Sequence, residues 1–251
     1  MGKRLVVFLT VFQSVLIAVH GFLFLTWVYF CSSHGDAGAH HHDFAPLSHW
    51  RLLVALGILS ISFLAASLVG FQLTNIVVRL IYRITAVWLG FVNYAFFFSV
   101  LCWIFYSASR LAGIITERRY FAETFLALAA AVTAYGVINA GWTRVQRISV
   151  KLPGLPDFWR GRTAVLITDV HLGNLRTYGF VRRIVKMAAN LNPDVVFIGG
   201  DLYDGTPADL ARLAEPLRSL QPPLGAFFVE GNHEEFTDHA KYLKAVSAVG
   251  V

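Results

Sequence analysis

The order of hydrophobic and polar residues divides the chain into an apolar first part and a mixed second part. Four uncharged apolar runs lie near residues 5–30, 52–75, 84–106 and 124–142. A helix needs about 20 predominantly apolar residues to cross a bilayer. The pattern therefore predicts a transmembrane region of about four helices within residues 1–142. The first run is too long for the apolar core of a secretory signal, which indicates a retained helix.

A different pattern begins after residue 142. Residues 143–162 contain prolines, glycines and several charges, which is the composition of a linker. Short apolar runs then alternate with runs of helical spacing. The former are residues 163–168, 195–199 and 226–229, and the latter are residues 178–191, 207–220 and 238–249. This alternation predicts an α/β domain in residues 163–251.

The net charge of +6 belongs to the apolar part of the chain. Residues 1–150 contain ten Lys or Arg and four Asp or Glu, whereas residues 151–251 contain eleven of each. Because the second part has no net positive charge, the basic composition does not indicate nucleic-acid binding. Positive residues that flank apolar runs instead set the orientation in the membrane.

The flanking Lys and Arg residues favour a cytoplasmic N-terminus and a cytoplasmic soluble domain. With four crossings, one side of the membrane receives seven of these residues and the other side receives four. The seven are Lys3, Arg4, Arg79, Arg83, Arg144, Arg147 and Lys151, and the four are Arg51, Arg110, Arg118 and Arg119. The side with seven is predicted to be cytoplasmic.

The connection between the first two apolar runs, residues 32–50, contains five histidines and two aspartates. Imidazole suits zinc, copper and nickel, so this histidine-rich loop is a candidate metal site. A flexible, solvated loop is the alternative, because the Gly and Ala spacing defines no geometry. Cys31 and Cys102 lie in or beside apolar runs, which predicts membrane-embedded thiols rather than a disulfide framework or a zinc site.

Polar residues follow each predicted strand of the second part. They are Asp169 and His171 after the first strand, Asp201 and Asp204 after the second, and Asn232 and His233 after the third. Ligands bind outside the carboxyl ends of strands in open α/β sheets, so we expect these side chains to converge. Each motif alone is weak, because Gly-Asp and Gly-Asn are common in turns. Together, their carboxylate, imidazole and amide groups suit a pair of divalent ions.

The three motifs resemble those of the calcineurin-like metallophosphoesterases. They are Asp169-x-His171, Gly200-Asp201-x-x-Asp204 and Gly231-Asn232-His233-Glu234, and the similarity extends over residues 153–251. With its apolar N-terminal region, the chain is most similar to the bacterial membrane-associated branch. The resemblance implies an α/β/β/α sandwich, of which this sequence encodes the first half. It also implies a multi-pass protein of the bacterial inner (cytoplasmic) membrane.

The resemblance implies a role for each motif residue. Two divalent ions (Mn, Fe or Zn) would be held by Asp169, His171, Asp201 and Asn232. Asp201 would bridge the two ions. His233 would contact the phosphate and protonate the leaving oxygen, and Asp204 would orient that imidazole. The ions would activate a water molecule for in-line attack on phosphorus.

Two departures from the family pattern matter. Gly205 stands where protein serine/threonine phosphatases have arginine, so protein dephosphorylation is not expected. The family also has downstream Gly-His and Gly-His-x-His motifs that supply three ligand histidines, and these 251 residues do not contain them. We therefore expect a C-terminally truncated, inactive form with weakened metal affinity. One apolar face of the sheet should remain uncovered.

The predicted function is that of a membrane-anchored phosphohydrolase that cleaves phosphoester or pyrophosphate bonds. Its expected partners are membrane lipid and a phosphorylated substrate, with lipid-linked and nucleotide-linked molecules as candidates, and no nucleic acid. A non-catalytic metal sensor or scaffold that uses the histidine-rich loop is the alternative. A transporter with a phosphoesterase-like tail is a third interpretation, but uncharged apolar runs argue against an ion path.

Overall fold

The computed structural model describes residues 3–31, 46–235 and 239–251. The chain divides into two compact units, one formed by Met1–Leu68 with Leu80–Trp142 and the other by Val69–Arg79 with Thr143–Val251. Most of the histidine-rich loop, including four of its five histidines, lies outside the described residues. Both cysteines are free thiols.

Four long apolar helices account for the first unit. They are α1 (Lys3–Cys31), α2 (Pro46–Gly70), α3 (Ile76–Leu111) and α4 (Arg118–Ala140). All four are long and apolar enough to cross a membrane, which confirms the predicted number. In the 18-residue apolar stretch of each helix, at most 22% is buried within the protein. Helices that expose apolar residues all round are typical of membrane spans.

Polar side chains join these helices inside the apolar unit. His20 is 4% exposed, and its Nε2 accepts a hydrogen bond of 3.1 Å from Trp88 Nε1. Trp103 Nε1 donates to Thr26 Oγ1 at 3.0 Å. Such bonds, which link α1 to α3, hold transmembrane helices together where the hydrophobic effect cannot.

The ends of α2 and α3 differ from the predicted apolar runs. The predicted second run reaches residue 75, but α2 ends at Gly70, and Asn75 begins the next helix by accepting a hydrogen bond of 2.9 Å from the amide of Val78. Helix α3 then extends through Arg79 and Arg83 before its apolar part. The connection between the two helices is therefore only residues 71–75.

The second unit contains a parallel sheet, which confirms the predicted α/β class. Its strands are β1 (Ala164–Ile167), β2 (Val195–Gly199) and β3 (Ala226–Val229), in the order β1-β2-β3. Ala164 pairs with Val195, and Val196 pairs with Ala226. The α-helices of this unit are α5 (Tyr178–Ala189), α6 (Leu210–Ala214), α7 (Asn232–Glu235) and α8 (His239–Ser247).

The single helix predicted over residues 207–220 is divided in the structure. Helix α6 begins after Asp209, whose side chain accepts from the amide of Arg212, and ends at Ala214. A 3₁₀ helix, Glu215–Ser219, follows. Pro216 lacks the amide hydrogen that an α-helix needs at that position, which explains the change.

The helices cover one face of the sheet and leave the other exposed. Val165, Ile167, Val196 and Ile198 lie in the core under the helices. On the opposite face the exposed fractions are 69% for Leu166, 40% for Phe197, 51% for Phe227 and 65% for Val229. Among the described residues of the second unit, none covers this apolar face.

Candidate metal centre

The segments that follow the three strands meet at the carboxyl edge of the sheet. The amides of Asp169 and His171 donate to the carbonyls of Gly200 and Asp201 at 3.2 and 2.9 Å. The segment after β3 joins them, because the amide of His233 donates to Asp201 Oδ1 at 3.1 Å. The expected convergence of the three motifs is therefore present.

Three of the predicted residues form a cluster that can hold a metal ion. Ligand atoms of His171, Asp201 and His233 all lie within 4.8 Å of one another, and all three residues are half-buried. His171 Nε2 is 3.9 Å from Asp201 Oδ2, and the two imidazole rings are 4.6 Å apart between centroids. Two imidazoles and a carboxylate fit a borderline divalent ion such as zinc, iron or manganese.

The backbone after β1 and β2 adopts a left-handed conformation at three residues of the first two motifs. The φ angles are 54° at Asp169, 49° at His171 and 49° at Asp201. Each such residue costs about 1 to 3 kcal/mol, and such strain is concentrated at functional sites. Other interactions must hold these residues in place.

Glu234 supplies part of that support. Its side chain is fully buried, and Oε2 accepts hydrogen bonds from the amides of Asp201 and Gly231 at 3.0 and 2.8 Å. Oε1 accepts from the amide of Tyr203 at 3.0 Å. Burial and then the adjacent Glu234 carboxylate raise the pKa of Tyr203. In the sequence, the position of Glu234 inside the third motif is the only signal for its contacts with the loop after β2.

Two glycines allow carboxylates to approach the backbone closely. A Cβ at Gly231 would lie 2.1 Å from Asp201 Oδ1, and a Cβ at Gly173 would lie 2.0 Å from Asp204 Oδ1. Neither distance is compatible with a side chain. The loop after β1 and the loop after β3 therefore each need glycine to seat an aspartate of the second motif.

Asp204 contacts the imidazole of His233 with its backbone carbonyl. Its carboxylate accepts hydrogen bonds from the amide and hydroxyl of Thr206 at 2.8 and 2.5 Å and from the amide of Asn174 at 3.0 Å. His233 Nδ1 lies 3.3 Å from the Asp204 carbonyl oxygen. The carboxylate thus holds the loop, and the carbonyl contacts the imidazole.

Asp169 and Asn232 lie at the edge of the site. Both side chains are exposed. Asp169 Oδ2 accepts a hydrogen bond of 2.7 Å from Thr168 Oγ1 and is not part of the three-residue cluster. Arg176, which lies in none of the three motifs, donates from Nη1 to the carbonyls of Asp169 and Val170 at 2.9 Å each. The metal roles of Asp169 and Asn232 stay predictions.

Comparison with known proteins identifies the family of this domain. Residues 163–248 match the family described as calcineurin-like phosphoesterase. The zebrafish (Danio rerio) transmembrane protein with metallophosphoesterase domain is 36% identical over 149 residues, which cover 58% of this chain and 34% of that protein. The protein of the same description from cattle (Bos taurus) is 34% identical over 56% of this chain and 32% of its own length.

A bacterial relative extends the comparison. UDP-2,3-diacylglucosamine pyrophosphatase of Chlamydia trachomatis is 32% identical over 101 residues, which cover 40% of this chain and 30% of that protein. Because the relatives include animal and bacterial proteins, membership in a bacterial branch is not confirmed. The chain spans about a third of the length of these three relatives. No solved structure matches it significantly.

The family match covers the same residues that the structure folds into the parallel sheet and its helices. The three motifs lie at the carboxyl ends of neighbouring strands. One side chain from each motif, with an atom that can bind a metal ion, lies in the same cluster. The second unit of this chain therefore contains a calcineurin-like metallophosphoesterase domain in residues 163–248.

Proposed function

We propose that this protein is a membrane-anchored, metal-dependent phosphohydrolase that cleaves phosphoester or pyrophosphate bonds. The observation that supports this most directly is that His171, Asp201 and His233, two predicted metal ligands and the predicted proton donor, meet at the carboxyl edge of the sheet. The four candidate membrane spans supply the anchor.

In this proposal Asp169, His171, Asp201 and Asn232 hold two divalent ions. Asp201 would contribute its carboxylate beside His171, whose Nε2 lies 3.9 Å from Asp201 Oδ2. Bound ions supply Lewis acidity to a water molecule and to the phosphoryl oxygens.

We assign proton donation to His233. A hydrogen bond from Nδ1 to the Asp204 carbonyl, at 3.3 Å, orients the imidazole and directs Nε2 to the opposite side of the ring. We assign Nε2 to the leaving oxygen of the substrate. General acid catalysis of this kind contributes roughly 10²- to 10⁴-fold to a rate.

We propose a lipid-linked phosphoester or pyrophosphate as the substrate. Membrane anchoring favours a substrate that is itself in the membrane. The Chlamydia relative is named as a pyrophosphatase of UDP-2,3-diacylglucosamine, a molecule that is both nucleotide-linked and acylated. The absence of an arginine at Gly205 supports a substrate other than a phosphoprotein.

We also propose that the protein lies in a bacterial inner membrane with its phosphoesterase domain in the cytoplasm. The count of seven against four flanking Lys and Arg residues supports this orientation. Residues 69–79 and 143–251 belong to one compact unit and must share a side of the membrane. Helices α3 and α4 lie between these two segments of the chain. If both helices cross the membrane, the segments return to the same side, which agrees with their membership in one unit.

The phosphohydrolase proposal is tested first by the affinity of the purified protein for Mn²⁺ in detergent. Electron paramagnetic resonance measures the bound and free Mn²⁺. We expect Asp201→Asn to weaken Mn²⁺ binding by about 10- to 100-fold or more. Asp157→Asn is the matched control, because the Asp157 side chain is 90% exposed and lies before the domain, in residues 143–162. Equal Mn²⁺ affinity of Asp201→Asn and the wild type would contradict the proposal.

Activity is measured on the longest form of the protein that contains this sequence. We expect hydrolysis of a chromogenic phosphodiester to require the metal and to be abolished by His233→Ala. Hydrolysis that continues unchanged after this substitution would remove His233 from its assigned role.

A further inference from the structure

The connection between α2 and α3 packs against the phosphoesterase domain, although it joins two membrane helices. Residues 69–79 belong to the same compact unit as residues 143–251. Thr74 Oγ1 donates a hydrogen bond of 3.1 Å to the carbonyl of Pro207. The ring of Phe71 lies beside Gly205, where a Cβ would be 3.9 Å from Phe71 Cε1. Both contacts are made to the loop that follows Asp204.

Asn174 makes the third contact, and it is the most buried. The residue is 2% exposed, and its Nδ2 donates to the carbonyl of Gly70 at 2.9 Å. Its Oδ1 is buried without a hydrogen-bond partner in the described part of the chain. Burying an amide is unfavourable unless it is hydrogen-bonded, so the bond to Gly70 is the interaction that holds this side chain.

The backbone of Asn174 leads from this contact to the metal centre. Its amide donates to Asp204 Oδ2 at 3.0 Å. The Asp204 carbonyl in turn lies 3.3 Å from His233 Nδ1. One residue thus touches the end of α2, at Gly70, with its side chain and the Asp204 loop with its backbone.

We propose that Asn174 is a positioning residue through which the end of α2, at Gly70, fixes the Asp204 loop and, through the Asp204 carbonyl, the imidazole of His233. Residues 70–75 are then a structural part of the catalytic site. The catalytic consequence rests on the phosphohydrolase function proposed above, whereas the positioning itself does not.

The contact is tested by cross-linking in the full chain with Cys31→Ala and Cys102→Ala as background. Thr74→Cys is combined with Pro207→Cys, and a protease site is introduced at the exposed residue Gly154. After oxidation and cleavage, the two fragments should stay joined until a reductant is added. Fragments that separate without reductant would overturn the proposal.

Ile115→Cys combined with Pro207→Cys is the matched control. Ile115 is 91% exposed and lies in the connection between α3 and α4, which is predicted on the other side of the membrane. This pair should not cross-link. Cross-linking of equal yield would show random collision and would also overturn the proposal.

The positioning role is tested by hydrogen exchange in Asn174→Ala. We expect amides of residues 173–176 and also of residues 203–207 to exchange about tenfold faster, because one buried hydrogen bond is lost. Peptides from α5 should be unchanged, and Asn190→Ala, at an exposed position, should change neither loop. Faster exchange confined to residues 173–176 would show that Asn174 stabilises only its own loop, which would contradict the proposal.

In the longest form of the protein, Asn174→Ala should lower kcat by about tenfold with KM and Mn²⁺ affinity little changed, because His233 is assigned to the transition state. Unchanged exchange at residues 203–207 would refute the positioning role alone. If Asn174→Ala shows the expected faster exchange but the wild-type protein binds no Mn²⁺, the phosphohydrolase proposal alone is refuted.

Discussion

Glu234 accepts three backbone hydrogen bonds from a fully buried position. The donors are the amides of Asp201, Tyr203 and Gly231, which belong to the loops after β2 and β3. Asp201 has a positive φ, so the free energy that keeps it in that conformation must come from such bonds. The geometry of the metal centre therefore depends on a residue that is not one of its assigned ligands.

Glu234→Gln should disturb this arrangement. An amide group can present only one acceptor oxygen, so its NH₂ would face at least one of the backbone donors. A buried group left unsatisfied costs about 1 to 3 kcal/mol. We expect faster hydrogen exchange at the amides of residues 201 and 203 and weaker Mn²⁺ binding. Glu235→Gln, an exposed neighbour, is the control. Unchanged exchange in Glu234→Gln would show that the loops are held by other contacts.

At the scale of elements, the strands could be predicted because each is a short apolar run that ends in polar motif residues. The predicted residues 195–199 and 226–229 coincide with β2 and β3. Helix α7 was not predicted, because four residues give no periodicity. The contacts of Asn174 and Glu234 were not predictable either. The partner of Asn174 is a backbone group 104 residues away, and two of the three partners of Glu234 are backbone groups 33 and 31 residues away. A backbone group leaves no pattern in the sequence.

Strand β1 is held at its start by Asp194. The carboxylate accepts hydrogen bonds from the amide of Thr163 at 2.8 Å and from Arg162 Nη1 at 2.6 Å. The Thr163 amide first and then the Arg162 guanidinium lower the pKa of Asp194 below its ordinary value of 3.8. The ionised carboxylate therefore stabilises the folded domain above pH 3.8, and this contribution disappears as the pH falls through the lowered pKa.

Asp194→Asn should lower the thermal unfolding temperature of the domain near neutral pH. Well below pH 3.8 the wild type and the variant should unfold at the same temperature, because the wild-type carboxyl group is then also neutral. Asp157→Asn, at an exposed position, should leave the unfolding temperature of the domain near neutral pH unchanged. If the unfolding temperatures of Asp194→Asn and the wild type still differ in acid, the effect comes from the changed hydrogen-bonding geometry of the side chain and not from its charge.

At the scale of the whole molecule, the side of the membrane on which each connection lies is a direct test of the four crossings. In a background without native cysteines, Ile115→Cys and Leu152→Cys place thiols at positions that are 91% and 58% exposed. For the proposed orientation, a membrane-impermeant maleimide should label intact cells only at residue 115. Labelling of residue 152 after permeabilisation is the control for reactivity. Labelling of residue 152 in intact cells would place the phosphoesterase domain outside the cytoplasm.

The uncovered face of the sheet leads to the last prediction. Parallel sheets are normally covered on both faces, and a contiguous exposed apolar patch marks an interaction surface. Neighbouring residues of β1 point to opposite faces, since Leu166 is 69% exposed and Val165 is 9% exposed. In this 251-residue chain, Leu166→Lys should change stability by no more than about 0.5 kcal/mol, as expected for a surface position, and should reduce binding of a hydrophobic dye.

Val165→Lys is the matched control, because it buries an unpaired charge under the helices and should destabilise the domain by about 3 kcal/mol or more. Both variants are compared by thermal unfolding. In a longer form of the protein whose further residues cover this face, Leu166→Lys should become as destabilising as Val165→Lys. If Leu166→Lys already unfolds the 251-residue chain, the face is covered without those residues, and this sequence does not behave as the open half of a sandwich.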